Sequence, residues 1–432
     1  MASNTIADIV LANSGGQGLE AFDVLLGALQ AADPGATGLL GAALDPGQDL
    51  TVFAPTDDAF IALAKVIDPT VATEENALAV LAAASAALSP VYDPTAFLKT
   101  VLSYHISPGA QSKASVQGTA SIATLAGSDI KPSGETLGDK EPDLDDPQFV
   151  DGLTDLSADN GVVHVIDKVL LPYDITFAEG GTLRTKGGDD AVIGSDGRDK
   201  IFLGGGNDLA NGGAGHDKLR GANGDDVLNG GDGNDNLAGG RGNDALSGDA
   251  GRDMLFGRHG DDHLSGGAGK DTLYGGQGKD KLFGNDGDDM LMGGRNADIL
   301  VGGSGDDVLR GGKGADQFVF NPGNVGPGGE KLEGKDVIRD FNIGQGDTLV
   351  LDLSGFDQGT LDSLAAVDGD AGTLELIDLV TAGVVKFGAS KDGDLLIKHP
   401  GGRIELDGIS AKTKLADLIP AVKFNFDADF VT

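Results

Sequence analysis

Aspartate recurs every nine residues through the middle of the chain, without an insertion between Asp190 and Asp316. An apolar residue (U) follows two places after each aspartate, and most units fit the template G-G-x-G-x-D-x-U-x. Carboxylates at a fixed interval can bind cations, and glycines at the same interval can form tight turns. The fifteen aspartates are Asp190, Asp199, Asp208, Asp217, Asp226, Asp235, Asp244, Asp253, Asp262, Asp271, Asp280, Asp289, Asp298, Asp307 and Asp316.

The nine-residue period predicts a coil made of two units. A short x-U-x strand directs one apolar side chain inward, and the preceding six residues reverse the chain so that the next strand lies on the opposite side. Successive coils then stack as parallel strands. Aspartates two units apart, such as Asp271 and Asp289, become neighbours in this arrangement. A disordered Gly/Asp linker is the alternative, but disorder gives no reason to keep an aliphatic residue in phase.

Neighbouring aspartates in successive coils would repel one another unless a cation lay between them. Carboxylates and turn carbonyls form an all-oxygen site, which suits calcium better than magnesium because calcium tolerates flexible coordination. We therefore expect calcium ions between the coils, with the fifteen aspartates as ligands. The number of aspartate pairs two units apart sets an upper limit of about 13 ions.

The template resembles the calcium-binding nonapeptide of RTX proteins. This resemblance implies that the ions lie between adjacent coils and that the sixth-position aspartates are their side-chain ligands. The nine-residue period ends at Pro322, and the following residues resemble the cap that covers the open end of such arrays. Runs such as "TLVLDL" and "DLLIKH" predict strands there.

Four aspartates of the predicted cap, Asp336, Asp340, Asp347 and Asp352, could bind a further ion. We favour the alternative that they are solvated turn residues. The last stretch, "IPAVKFNFDADFVT", resembles an uncleaved signal for type I secretion. Taken alone, it fits a final strand equally well.

The first 173 residues are rich in alanine and leucine and are helical in period. "TVFAPTDDAF" predicts a strand, a proline turn and a helix capped by Thr56; "YHI" follows a second helix; and "NGVVHVIDKVLLP" predicts a turn and a strand. Together the three motifs resemble a fasciclin domain. The resemblance implies a role in cell adhesion or matrix contact and assigns His105 and His164 to fasciclin motifs. We expect both to be buried, hydrogen-bonded imidazoles.

The predicted fasciclin domain of this chain differs from the usual fasciclin pattern by two insertions. "EENALAVLAAASAALSPVYDPTAF" lengthens the helical part, and residues 134–161 form a strongly acidic segment with one lysine. The acidic segment could be a binding loop or a calcium site, but we favour a solvated loop.

The chain is thus predicted to be multidomain. We expect an α+β fasciclin domain at 1–173, a linker at 174–186, a parallel β-roll of fifteen units at 187–319, and a β-rich C-terminal cap with a type I secretion signal at 320–432.

The net charge of −37 is divided as −17 for residues 1–186, −11 for 187–318 and −9 for the remainder. Such acidity argues against nucleic acid as a partner. The chain has no cysteine, and a repeat that needs calcium near the millimolar range belongs outside the cell. The first residues lack a basic start and an apolar core, so no ordinary signal peptide is predicted. Secretion through a type I channel would reconcile these observations.

The sequence predicts a binding protein and not an enzyme. It contains no H-E-x-x-H, no G-x-S-x-G and no phosphate-binding G-K-[ST] motif. His259 and His263 are four residues apart, but a turn of the roll separates them, so helical metal-ligand spacing does not apply.

We expect a secreted, calcium-binding adhesion or matrix-binding protein. Its partners would be a cell-surface or matrix ligand, either glycan or protein, held by the fasciclin domain, and the type I secretion machinery. The alternative is a structural component of a surface layer or biofilm matrix that self-associates through the RTX region.

Two units depart from the template, and each departure leads to a prediction about the structure at that position. Asn296 replaces a turn glycine, and we expect it to have a positive φ because asparagine tolerates the left-handed region. In the third unit Leu203 replaces the first glycine and Ala210 replaces the aliphatic residue. We expect an incompletely filled interior there, and weaker calcium binding near Asp208 than near Asp271.

Overall fold

The computed structural model describes most of the chain in two compact units. The first comprises residues 1–176 and 188–191, and the second comprises residues 177–187 and 192–432. Within these units the described residues are 25, 28, 49–67, 70–71, 73–89, 95–140, 145–150, 153–178, 180–320, 334–352, 386–399, 402–410 and 422–425.

The first unit combines short helices with two small sheets. Its helices are α1 (Asp57–Ile67), α2 (Glu74–Ala87), α3 (Ala96–Tyr104) and α4 (Lys113–Gln117). Its strands are β1 (Leu50–Pro55), β2 (Ile106–Pro108), β3 (Ile122–Ala123), β4 (Asp129–Ser133), β5 (Thr136–Gly138), β6 (Leu156–Ala158) and β7 (Gly161–Ile166). The strand orders are β2-β1-β7-β6 and β3-β4-β5.

The sequence motifs of the first unit form the strands and helices that were predicted for them. β1 and β7 pair in parallel at the centre of their sheet, and every residue of β1 is buried. Thr56 caps α1, because the backbone N–H of Ala59 donates to Thr56 Oγ1 at 3.3 Å. The alanine-rich insertion forms α2, capped by Thr73. These observations confirm an α/β N-terminal domain.

The second unit is a succession of short strands that alternate between the two sheets of a parallel β-solenoid. About eight turns span residues 174–319. The strands up to the end of the repeat are β8 (Asp174–Phe177), β9 (Gly181–Arg184), β10 (Asp190–Ser195), β11 (Asp199–Phe202), β12 (Leu209–Gly215), β13 (Lys218–Asn223), β14 (Val227–Gly233), β15 (Asn236–Arg241), β16 (Ala245–Gly251), β17 (Met254–His259), β18 (His263–Gly269), β19 (Thr272–Gln277), β20 (Lys281–Asp286), β21 (Met290–Arg295), β22 (Ile299–Ser304), β23 (Val308–Lys313) and β24 (Gln317–Phe320).

The register of the roll follows the predicted coil of two units. β17 pairs with β19 in parallel, which places Leu255 beside Leu273, and β19 pairs with β21, which places Leu273 beside Leu291. The apolar residue of each unit from Val192 to Phe318 belongs to one buried cluster. One continuous column of aliphatic side chains therefore fills the space between the two sheets.

Glycine is required where successive coils approach each other. Gly269 has φ of +143°, and a Cβ built on it would overlap the carbonyl oxygen of Gly251 in the preceding coil. Gly267 has φ of +104°, and its Cβ would overlap the carbonyl of Asp249. A side chain at either position would separate the coils, so their stacking explains why the repeat keeps these glycines.

The roll begins earlier than the sequence predicted. Residues 174–186 contain β8 and β9, and β9 pairs with β11 so that Leu183 lies beside Ile201. The predicted linker is therefore the first turn of the solenoid. It was missed because this turn lacks the glycine and aspartate signature.

The region after the repeat is rich in strands, as predicted. It contains β25 (Gly334–Ile338), β26 (Thr348–Asp352), β27 (Lys386–Ala389), β28 (Asp394–Lys398), β29 (Gly402–Ser410) and β30 (Val422–Asn425). β25 and β26 continue the two sheets in parallel by pairing with β23 and β24. The antiparallel strands β27 and β28 then cover the edge of β29.

Asp336 and Asp347 are not solvated turn residues. Both are buried, and the residues two places later, Ile338 and Leu349, lie in the apolar column of the roll. The structure thus adds two units to the fifteen that the sequence showed. Asp340 is hydrogen-bonded to the last regular coil, while the side chain of Asp352 lies outside the described residues.

Candidate metal centre

The repeat aspartates form two hydrogen-bonded series along the roll. The backbone N–H of Asp253 donates to Oδ1 of Asp271 at 2.8 Å, and that of Asp271 donates to Oδ1 of Asp289 at 2.7 Å. The same contact joins successive coils from Asp199 to Asp316. The predicted neighbours are therefore in contact. Asp190 is also buried at the start of the array.

The two series continue into the cap. The N–H of Asp307 donates to Oδ1 of Asp336 at 3.1 Å, and the N–H of Asp316 donates to Oδ1 of Asp347 at 3.1 Å. Asp336 and Asp347 therefore occupy the sixth position of two irregular units. Insertions before these units remove the nine-residue spacing, so the period alone could not identify them.

Twelve consecutive aspartates, from Asp217 to Asp316, share a second feature. Their remaining carboxylate oxygen, Oδ2, is buried and has no hydrogen-bond partner in the described part of the chain. These twelve side chains are at most 3 % exposed. A buried acceptor without a partner costs about 1–3 kcal/mol, and more when it is charged. A feature that recurs in twelve successive units requires a positive partner.

No side chain would fit at the glycine beside each of these oxygens. A Cβ built on Gly266 would lie 2.6 Å from Oδ2 of Asp271 and 2.8 Å from the carbonyl oxygen of Gly284 in the next coil. At Gly230 the corresponding distances to Asp235 and to the next carbonyl are 2.6 and 2.9 Å. The first glycine of the unit therefore allows a carboxylate oxygen and a carbonyl oxygen, the two donor types that calcium prefers, to approach each other closely.

Burial makes these carboxylates difficult to ionise without a cation. It raises the pKa of Asp244 and Asp298 to about 8, and that of Asp253 and Asp289 to about 7. Hydrogen bonds from the neighbouring coil lower these pKa values, while adjacent aspartates raise them further. A bound divalent cation would reverse this balance because it favours the charged form.

The donor set fits calcium held partly by the backbone. Among the described residues, no three acidic or histidine side chains form a group that could hold a metal ion. Each turn instead combines buried carboxylate oxygens with nearby carbonyl oxygens, as the repeat predicted. The aspartates of the twelve central units would hold the ions, and the ions would supply the positive charge that the protein lacks at these positions.

Three aspartates towards the ends of the array differ from the central ones in that Oδ2 accepts a hydrogen bond. Oδ2 of Asp199 accepts hydrogen bonds from the backbone N–H and the hydroxyl of Ser195 at 2.9 and 2.8 Å. Oδ2 of Asp347 accepts from the N–H of Asn342 at 2.8 Å. Oδ2 of Asp208 has a weaker donor, the N–H of Gly204, at 3.4 Å. Oδ1 of Asp199 is buried without a hydrogen-bond partner in the described residues, whereas Oδ1 of Asp347 accepts from the N–H of Asp316. Protein donors therefore reduce the need for a cation at Asp347.

A second, exposed series of side chains runs beside one row of aspartates. The N–H of Asp225 donates to Oδ1 of Asn207 at 2.9 Å, and the N–H of Asn243 donates to Oδ1 of Asp225 at 2.6 Å. Asp261 and Lys279 continue the series. These bonds point in the opposite direction along the roll from those of the buried aspartates. Sequence reasoning missed them, although Asn or Asp at the fifth position of alternate units was a usable signal.

Comparison with known families agrees with this geometry. A family model for the fasciclin domain matches residues 21–172, and one for the RTX calcium-binding nonapeptide repeat (4 copies) matches 184–219, 211–246, 220–255, 256–291 and 292–324. Protein sll1483 of Synechocystis sp. (strain ATCC 27184 / PCC 6803 / Kazusa) is 33 % identical over 155 residues, which are 36 % of this chain and 69 % of that protein. The chain belongs to the fasciclin family and carries an RTX repeat array.

Among solved structures, the fasciclin–RTX chain is similar to the extracellular lipase LipA from Serratia marcescens. The identity is 19 % and the TM-score is 0.20, and the match covers 62 % of this chain and 46 % of the lipase. The chain thus spans less than half the length of that enzyme. The RTX match implies calcium binding, whereas the assignment of individual aspartates as ligands remains a prediction.

The two fasciclin-motif histidines have structural environments, as expected. His105 Nδ1 lies 2.8 Å from the carbonyl of Val101, and its Nε2 accepts from the N–H of Leu170 at 2.8 Å. His164 accepts from the N–H of Asp155 and lies 2.8 Å from the carbonyl of Gln111. Burial lowers the pKa of both imidazoles, to about 4 for His105. Each neutral ring therefore joins backbone segments that are distant in sequence.

Backbone conformations at substituted glycines confirm the turn prediction and extend it. Asn296 has φ of +78°, as expected. Four residues that replace the second glycine of their units, Ala222, Asp249, Arg258 and Asn285, also have positive φ, between +66° and +95°. The turn geometry is therefore imposed by the stacked coils, even on residues that disfavour it.

The interior of the roll at the third repeat unit is filled differently from the prediction. Leu203 is 4 % exposed and belongs to the same buried cluster as Ala210. The leucine at the first position thus contributes apolar volume to a unit in which Ala210 contributes little. The expectation of an incompletely filled interior neglected this side chain.

Proposed function

We propose that this protein is a secreted adhesion protein in which the fasciclin domain binds a cell-surface or matrix ligand and the RTX roll folds around calcium outside the cell. The observation that carries the proposal is the presence of both modules in one chain. Fasciclin domains are adhesion-related, and the RTX repeats imply calcium binding and an extracellular setting. None of the described helices is long and apolar enough to cross a membrane.

The fasciclin unit offers one place where a ligand group could bind. A cavity of about 260 Å³ lies against α1, and Val66 on its wall is 40 % exposed. Apolar side chains form most of the wall, and one lysine and three carboxylates surround it. The lining residues are Ala59, Ala62, Leu63, Val66, Asp139, Asp145, Asp167, Lys168, Val169 and Leu171.

The cavity favours a ligand that is apolar along its length and positively charged at its end. The aliphatic stem of a lysine or arginine side chain would contact the apolar wall, and its charge would lie near the carboxylates. Asp145 is 94 % exposed, so a charge at the rim would remain partly hydrated. The ligand proposed on this ground is a basic segment of a matrix or cell-surface protein.

Binding of the full chain in millimolar calcium tests this proposal. The probes are immobilised matrix proteins, a glycan array, and a lysine- and arginine-rich peptide. Ala62→Trp should fill the cavity and weaken binding to the basic peptide at least tenfold, because the indole would occupy the ligand volume. Ala83→Trp on the exposed face of α2 is the matched control and should leave binding unchanged.

Equal binding by both variants would exclude the cavity as the binding site. Absence of binding to every probe, with the protein folded and calcium-loaded, would contradict an adhesive function. In either case the protein would still be a calcium-binding RTX protein, so the two conclusions are separable.

We further propose that the chain binds its ligand without catalysing a reaction and leaves the cell through a type I channel. The secretion proposal rests on the RTX array and on the C-terminal sequence, of which residues 426–432 lie outside the described residues. Deleting 426–432 leaves β30 in place and should reduce export without altering the calcium-dependent fold. Unchanged export would contradict the proposal.

A further inference from the structure

The outer face of the sheet that contains β17, β19 and β21 has an exposed apolar centre. Met254 and Met290 are 43 % and 40 % exposed, and they lie in one row on either side of Thr272. In the adjacent row the rings of Phe256 and Tyr274 stack, with centroids 5.0 Å apart and planes inclined by 2°. Met292 follows Tyr274 in this row. Three of the four methionines of the chain therefore lie on β17 and β21, the two strands that flank β19.

Basic side chains lie on both sides of this centre. Lys200, Lys218 and Arg220 project from β11 and β13 at one end, and Arg310 projects from β23 at the other. Lys218, Arg220 and Arg310 are exposed. We call the outward side chains of β9 to β23 in this sheet, from Thr182 to Arg310, the cationic face.

The outward positions of the cationic face carry no acidic residue on any of its eight strands, all of which are described. The whole chain has a net charge of −37, and its first 186 residues carry −17. At physiological ionic strength charges more than about 8 Å apart are largely screened, so the local cations determine what this face attracts. The face is thus basic, although the chain as a whole is acidic.

The composition of the face is that of a protein–protein contact. Methionine, aromatic residues and arginine are enriched in interface cores, and methionine adapts to irregular apolar partners. An exposed apolar patch bordered by polar residues also marks an interaction site on a soluble protein. Eight strands at about 4.8 Å spacing make the face roughly 34 Å long. This length is sufficient for a contact of ordinary size.

We propose that the cationic face is a self-association surface that binds an acidic surface of a second copy of this chain. Two copies placed face to face would bring cations against cations, so the contact joins this face to a different part of the partner copy. Such a contact is heterologous and does not close on itself unless the rotation between copies forms a ring. The RTX roll would then link copies into a chain in which each fasciclin domain remains attached to its own roll.

Binding of an acidic polysaccharide is the competing occupant. It would explain the lysines and arginines, but exposed methionines contribute little to a polysaccharide site. The apolar centre therefore favours a second protein copy. The two occupants differ in a direct measurement, because self-association needs no added ligand.

Sedimentation velocity of the full chain in millimolar calcium tests the proposal. We expect reversible, concentration-dependent association that weakens as salt rises from about 0.05 to 0.5 M, since screening reduces the attraction between basic and acidic surfaces. Met254→Glu with Met290→Glu should weaken association at least tenfold. Ile299→Glu with Gln317→Glu adds the same charge to the opposite sheet and is the matched control.

A second pair of substitutions distinguishes weaker association from loss of folding. Arg220→Glu with Arg310→Glu changes two exposed side chains and should weaken association to a similar degree, while the calcium-dependent circular dichroism stays that of the wild type. A chain that remains monomeric up to about 200 μM in calcium would overturn the proposal, given the micromolar affinities expected of specific contacts. Equal association by the variants of the cationic face and by the control variant would also overturn it. So would a chain that stays monomeric and binds alginate through the cationic face. The test is independent of any adhesion ligand, so it can fail or succeed separately from the proposed function.

Discussion

Asn296 shows how a single side chain can be constrained by the stacking of coils. Its φ of +78° lies in the left-handed region, which asparagine tolerates and β-branched residues do not. Asn296→Val should therefore lower the free energy of unfolding of the calcium-loaded roll by about 1–2 kcal/mol. Calcium-saturated chemical unfolding measures this difference. Asn296→Gly is the control and should be neutral or stabilising, and a valine variant as stable as the glycine variant would contradict the strain argument.

His105 gives the fasciclin unit a pH dependence that is separate from the roll. Its folded-state pKa is about 4, whereas an unfolded histidine titrates near 6.5. The unfolded state therefore binds a proton first as pH falls, and the folded unit loses stability between pH 6.5 and 4. The loss from this group should reach about 3 kcal/mol.

Denaturant unfolding followed by the helical circular dichroism signal measures this loss, because all described α-helices lie in the first unit. His105→Gln should lower stability at neutral pH but flatten its slope between pH 6.5 and 4. The buried His164, whose pKa is also lowered, would account for the slope that remains. An unchanged slope in the variant would show that His105 does not titrate in this range.

Among the turns, the hydrogen bonds to the carboxylate oxygens distinguish Asp347 from the central aspartates. Oδ2 of Asp271 has no hydrogen-bond partner in the described residues, whereas Oδ1 and Oδ2 of Asp347 accept from the N–H groups of Asp316 and Asn342. Asp271→Asn should reduce the number of bound calcium ions by at least one and raise the calcium concentration needed for folding. Asp347→Asn should leave both quantities nearly unchanged.

Isothermal titration and atomic absorption after gel filtration measure these two quantities. Asp208→Asn should fall between the two variants, because the N–H of Gly204 lies 3.4 Å from its Oδ2. Weaker calcium binding near Asp208 than near Asp271 is thus still expected, but for a different reason from the cavity that the sequence suggested. Equal losses of calcium in all three variants would contradict the distinction between end and central turns.

The same turns show how far the sequence could predict the structure. The regular units were predictable because glycine, aspartate and an apolar residue each occupy a sterically or electrostatically required place in every coil. Asp336 and Asp347 occupy the same places, but insertions hide their spacing. The first turn, containing Leu183, keeps the apolar residue without the aspartate. Contacts with the adjacent coil determine these units, and a single sequence does not display such contacts.

The outward positions were the part of the roll that the period could not predict. Phe256 and Tyr274 are two units apart and occupy the same variable position of the repeat, so the stack between them follows from the eighteen-residue coil. Their functional meaning depends on the neighbouring rows, which become visible only when the strands are placed side by side. Inward positions are limited by packing, while outward positions are free to differ between coils and can carry a binding surface.

At the scale of the whole molecule, calcium should act as a folding switch for one unit and not for the other. The roll buries one column of apolar residues and twelve carboxylates whose Oδ2 atoms have no hydrogen-bond partner in the described residues. Without cations these carboxylates must be protonated or remain charged and buried, and both states oppose folding near neutral pH. The fasciclin unit has separate buried clusters and no comparable series of carboxylates in its described residues.

The full chain in chelator should therefore be half folded, with its helices present and the strands of the roll absent. Calcium binds the folded coils and not the unfolded chain, so its binding free energy becomes folding free energy. Circular dichroism should show a helical signal that is insensitive to calcium and a strand signal that appears on adding millimolar calcium. Magnesium at the same concentration is the control and should be much less effective, because it requires a more rigid octahedral site. A strand signal of equal size in chelator and in calcium would show that the buried carboxylates are accommodated without metal.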